Sequence, residues 1–134
     1  MQLLAFVSPG TSFFRPTSVP FTLFPAVDQA PSLDEKVFAS VASMSEGLAG
    51  LRDTFDLIHA QDCISGRAAM HVSRSGKIIP VIRTVHHVDD FTTQALIDCQ
   101  RQAIVDPDRI LVVSQTWQST LQDDYGVPAD IVPN

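Results

Sequence analysis

The chain has 134 residues, the size of a single domain. It is 45% hydrophobic and 18% charged, a balance that supports a buried core and excludes a disordered polymer. A net charge of −6, with only 9 Lys+Arg spread along the chain, excludes the basic footprint of a nucleic-acid binder, so no nucleic-acid partner is expected.

Leu3 to Val7 is a compact apolar run that reads as a buried strand. It lacks the basic start and small-residue cleavage site of a secretory signal and is too short to span a bilayer. No transmembrane segment is expected, and the expected location is the cytoplasm, with a membrane-peripheral one as the alternative. A Phe- and Pro-rich loop, Ser12-Phe13-Phe14-Arg15-Pro16, follows. A doubly wound sheet ordinarily opens with a strand, a Gly-rich turn and a helix; that unit is missing here. Phe21 to Phe24, bracketed by Pro20 and Pro25, is a second, weaker strand.

Ser32 and Glu35 form a capping-box pattern at the start of a helix. Leu33, Val37, Val41, Met44, Leu48 and Leu51 then recur at helical spacing. Asp56 to Ala60, Pro80 to Val85, Arg109 to Val113 and Asp130 to Val132 are short apolar runs, the pattern of parallel strands covered on both faces. Helices are predicted between them. One runs from Ser65 to Ser75, ended by Gly76, and another from Thr92 to Val105, stopped by Pro107. The last runs from Gln115 to Tyr125, capped by Ser114 and closed by Gly126. Trp117 and Leu121 share a face of this helix and read as core, and His71 reads as a surface or packing residue. Cys63 and Cys99 have neither Cys-x-x-Cys nor zinc spacing and read as reduced, partly buried thiols.

This alternation predicts an α/β fold: a Rossmann-like parallel sheet with helices on both faces, lacking the usual first strand, Gly-loop and helix. In such sheets ligands bind outside the carboxyl ends of the strands. Those positions hold His59, Gln61, Asp62 and Ser65; His86, His87, Asp89 and Asp90; Ser114; and Asn134. Histidine suits both proton transfer near neutral pH and hydrogen bonding to a sugar hydroxyl. A metal site from His86, His87, Asp89, Asp90 and Asp62 is a second reading. Neighbouring side chains on an extended chain point opposite ways, which leaves only one of the two histidines facing any ligand. The plain alternatives are a hydrogen-bonded core histidine at His59, a solvated loop at His87, and Asp89 and Asp90 favouring the next helix start. Ser65-Gly66-Arg67, placed at a helix start, is a weak anion-binding candidate.

Four segments carry a family resemblance. Asp56-Leu57-Ile58-His59-Ala60-Gln61-Asp62 resembles the Asp-hydrophobic-hydrophobic-His-x-x-acid strand of family 4-like glycosyltransferases. Pro80-Val81-Ile82-Arg83-Thr84-Val85-His86 is similar to their strand ending in Thr-hydrophobic-His. Arg109 to Ser114 matches a strand ending in Val-Ser, and Tyr125-Gly126-Val127 through Ile131-Val132-Pro133-Asn134 a Gly-Val to Pro-Asn stretch. The match is close from Phe55 to Asn134 and loose before it.

The resemblance implies a retaining transfer of a sugar from a nucleotide-sugar donor to an acceptor hydroxyl on a sugar, lipid or small molecule. No metal and no cofactor besides the donor are implied. His86 is the implied catalytic residue, beside the donor sugar; His59, Asp62, His87, Ser114 and Asn134 are candidate substrate contacts. The family's Gly-Gly loop, and the donor domain with its paired glutamates, have no counterpart here. Residues 1–134 are thus expected to be a partial N-terminal, acceptor-side domain of a GT-B glycosyltransferase, inactive alone. The alternatives are a non-catalytic truncated α/β domain and a metal-dependent hydrolase using His86, Asp89 and Asp90.

Overall fold

Six strands and four helices, in the predicted order, make up a computed structural model of the chain, which describes residues 1–7 and 16–134. The residues at 12–15 of the Phe- and Pro-rich loop lie outside the described residues. The strands are β1 (Leu3–Val7), β2 (Phe21–Pro25), β3 (Ile58–Ala60), β4 (Val81–Val85), β5 (Arg109–Val112) and β6 (Asp130–Ile131). The helices are α1 (Leu33–Ala49), α2 (Cys63–Ser73), α3 (Gln94–Val105) and α4 (Gln115–Tyr125), with a 3-10 turn at Arg52–Thr54.

β3, β4, β5 and β6 form one parallel sheet in that order, flanked by the helices. This is the expected Rossmann-like α/β arrangement. β1 and β2 pair parallel with each other, Leu3 opposite Phe21, as a separate two-stranded sheet. Burial on both faces holds only for β4; in β5 Ile110 and Val112 are buried while Arg109 is exposed. β4 is nearly all buried, whereas both residues of β6 are exposed and β3 buries only Ala60. β3 and β6 are the sheet's edges, and an edge strand has a neighbour on one side only.

Local chemistry sets the helix ends. Ser32 Oγ accepts from the Glu35 N–H at 3.2 Å and starts α1. α2 begins at Cys63 and not Ser65, because Asp62 is the cap: its Oδ1 accepts from the Ser65 N–H at 2.7 Å. Ser65 is then the third helical residue, its hydroxyl accepting from the Asp62 N–H at 3.1 Å to complete a capping box. Its N–H is occupied by that carboxylate, which closes the anion-binding reading of Ser65-Gly66-Arg67. Thr93 caps α3, so the helix starts at Gln94 and Asp89 and Asp90 lie outside its first turn. Gly126 ends α4 at φ +67°, left-handed backbone that suits glycine.

Packing follows the apolar stripes. Val37, Val41, Met44 and Leu48 of α1 are buried, while Leu33 at its first turn is 57% exposed. Leu48, Ala69, Met70, Val72 and Val81 join α1 and α2 to the sheet, with Leu4 of β1 packed against them. Val85, Ile104, Ile110, Val112 and Leu121 form a second core under α3 and α4, and Trp117 packs against it as expected. The Asp108 carboxylate accepts from the Val81 N–H at 2.8 Å and pairs with Arg74 at 2.9 Å, tying the starts of β4 and β5 to the end of α2.

Candidate functional site

Because the four strands of the main sheet are parallel, their carboxyl ends open on one edge. His59, Gln61 and Asp62 follow β3, His86 and His87 follow β4, Ser114 follows β5 and Asn134 follows β6. The strand register brings some of these together. His59 stands opposite Ile82, and side chains two residues apart on an extended chain share a face. His59 and Gln61 therefore meet Thr84 and His86 across the β3–β4 pair.

The four side chains are linked in a row. His59 Nε2 is 2.8 Å from Thr84 Oγ1 and 3.1 Å from Gln61 Nε2. Gln61 Oε1 lies 2.9 Å from His86 Nε2. An amide oxygen only accepts, so His86 donates from Nε2–H to it. In the neutral ring that bond places the proton on Nε2 and leaves Nδ1 as the acceptor. Gln61 in turn donates to His59. His59 is exposed and hydrogen-bonded, not the core residue that a mid-strand position suggested, because β3 is an edge. Gln61, absent from the predicted contacts, is the link between the two histidines; its signal was the His-x-Gln spacing on one strand face.

The loop beyond β4 is held from behind. Gln100 of α3, 6% exposed, accepts through Oε1 from the Asp89 N–H at 2.8 Å and donates from Nε2 to the Asp89 carbonyl at 2.9 Å. This pair of hydrogen bonds fixes the main chain three residues after His86. His87 turns away to an exposed contact with Asp89, Nε2 to Oδ1 at 3.4 Å, and takes no part in the row. Asp90 is exposed. Among the described residues no three His, Cys, Asp or Glu side chains gather closely enough to hold a metal ion, so the His86/Asp89/Asp90 set is not assembled as a metal centre.

The remaining predicted contacts are partly engaged elsewhere. Asp62 Oδ1 caps α2. Ser114 Oγ caps α4, accepting from the Trp117 N–H at 3.3 Å. Asn134 is exposed beyond β6. A cavity of about 420 Å³ opens beside the row, lined by β1, α1, β3 and the start of α2. Its lining mixes Leu4, Met44 and Leu48 with His59, Gln61 and Asp62. His86 stands outside that lining and reaches it through Gln61. The arrangement offers hydroxyl-binding polar groups against an apolar wall, the composition of a site for a small polar ligand.

Among the described residues no helix is long and apolar enough to cross a membrane. Compared with the models of known families, residues 6–134 match Glycosyltransferase Family 4. No curated protein matches the chain.

Proposed function

Because the chain belongs to glycosyltransferase family 4, we propose that its carboxyl-edge histidines form the acceptor-side half of a sugar-transfer cleft. In this reading a nucleotide-sugar donor gives its sugar to an acceptor hydroxyl with retention at the anomeric carbon, and a second domain supplies the donor side. The observation that carries it is the row Thr84–His59–Gln61–His86 beside a mainly apolar cavity with polar groups along one side.

The chemistry asked of these residues is positioning and charge support. Gln61 holds the His86 imidazole in the Nε2–H form, so that Nδ1 accepts a hydrogen bond from a sugar hydroxyl without rotating the ring. Such a bond strengthens as charge develops on the sugar in the transition state. His59 and Asp62 line the cavity where the acceptor would sit. Acceptor orientation by groups fixed on strands lowers the entropic cost of reaction. No resident metal or cofactor is assigned to this half.

The test joins the chain to a donor domain of the family and measures sugar transfer. His86→Ala is expected to lower turnover by about 100-fold or more, the usual loss when one preorganised polar group is removed from a transition state. Unchanged turnover ends the role of His86. Perturbation of the His59 imidazole NMR signals by acceptor sugars, in the chain alone, would support the acceptor assignment; perturbation of His59 by the nucleotide-sugar only would reverse it.

A further inference from the structure

The two thiols meet in three dimensions, 36 residues apart in sequence. Cys63 is the first residue of α2 and half-buried; Cys99 lies in α3 and is 4% exposed. Their sulfurs are in contact at 3.9 Å. A disulfide needs about 2 Å between sulfurs, so closure requires an approach of about 2 Å between side chains already facing each other.

A buried cation adjoins them. Arg83 on β4 is 3% exposed, and among the described residues its Nε and Nη1 have no hydrogen-bond partner. Its aliphatic stem lies against Gly66 of α2, under the turn of helix that carries Cys63. A guanidinium out of water and without an acceptor is costly, and a nearby anion relieves it. The groups whose charge it feels most are Cys63, Asp62 and Cys99.

We propose that Cys63 and Cys99 are a redox-active dithiol which hydrogen peroxide converts to an intramolecular disulfide. The thiol–thiol contact, with Arg67 and Arg83 alongside, favours a thiolate on one sulfur of the pair while the other keeps its proton. The α2 N-terminus favours an anion at Cys63, but the Asp62 carboxylate capping that helix offsets it.

In the first step the thiolate of the pair attacks one peroxide oxygen. The S–O bond forms as the O–O bond breaks, sulfur loses two electrons, and hydroxide leaves. In the second step the other sulfur attacks the resulting sulfenic acid. The S–S bond forms, the S–O bond breaks, and the departing oxygen leaves as water with that second thiol's proton. The disulfide removes the anion beside Arg83, so the reduced form is favoured and the bond is readily reopened by a dithiol reductant.

The test exposes the reduced chain to equimolar hydrogen peroxide. Free thiols are expected to fall from two to none, the intact mass to drop by two hydrogens, and a peptide pair linking Cys63 to Cys99 to appear; dithiothreitol should reverse all three. In Cys63→Ser and in Cys99→Ser the disulfide cannot form, and a dimedone-reactive sulfenic acid should persist on the remaining cysteine of at least one variant. Arg83→Met, checked for folding by circular dichroism, should slow the first step about tenfold. Retention of both thiols, cross-linked dimers, irreversible oxidation of either cysteine in the wild-type chain, or no labelling in either serine variant would overturn the pair.

Discussion

Asp108 shows how much a single side chain does here. Its carboxylate accepts from the Val81 N–H, which is the largest cause holding its pKa below the usual aspartate range, and Arg74 adds to it. A group whose folded pKa is depressed stabilises the fold above its unfolded pKa, and that stability is lost as pH falls through the folded value. The loss therefore begins below about pH 4. Asp108 is exposed, so Asp108→Asn is expected to cost only about 1 kcal/mol at neutral pH. Its unfolding free energy should also fall less steeply than that of the wild type between pH 4 and 2. Parallel acid profiles for the two chains would remove this role. Gln100 works on the same scale. A glutamine in mid-helix reads as surface, yet it is buried and holds both polar groups of the Asp89 main chain.

At the scale of elements, the ends of the helices were legible and the ends of the strands less so. Caps are local, because a Ser, Thr or Asp side chain reaches a main-chain N–H three residues on. The α4 boundaries came out as predicted from Ser114 and Gly126. At α2 the choice of Ser65 over Asp62 displaced the start by two residues, since Ser65 belongs to the same capping box from its far side. Two glycines at helix ends separate conformation from space. Gly126 has φ +67° with nothing within 4 Å of an added Cβ, whereas Gly50 is right-handed at φ −66°. Gly126→Ala is expected to cost about 1–2 kcal/mol, the penalty of left-handed backbone for an L-residue. Gly50→Ala should cost nothing and can stabilise by up to about 1 kcal/mol. Equal melting temperatures for the two variants would show that the α4 terminus does not depend on its left-handed residue.

Across the whole molecule, the sheet is in two parts. β4 and β5 are paired on both sides and form the buried centre at Val81, Val85, Ile110 and Val112, whereas β1 and β2 pair only with each other among the described residues. β1 reaches the main core through Leu4, and β2 touches α1 where the Phe24 ring lies over Gly47. Opening the β1–β2 pair exposes little of the central core. Its amides are therefore expected to exchange hydrogen by local opening, well before those of β4 and β5, which require global unfolding. Native-state exchange followed by NMR measures this directly. Equal protection in β2 and β4 would mean that the two sheets open as one unit.

The sequence by itself determined the alternation of strands and helices, the parallel class of the sheet, the caps of α1 and α4 and the edge at which titratable residues collect. All of these depend on neighbours within a few positions of each other, or on the handedness that any βαβ unit shares. The family motifs at His59 and His86 added the direction in which to read that edge. Only the tertiary structure decided which edge residues meet. Register set His59 and Gln61 against Thr84 and His86, and left His87 on the surface. It also decided that β3 and β6 are edges, that Gln61 joins the histidines, and that Cys63 and Cys99 touch beside a buried Arg83. Contacts between residues 25 or 36 positions apart arise from packing and pairing that no local pattern encodes.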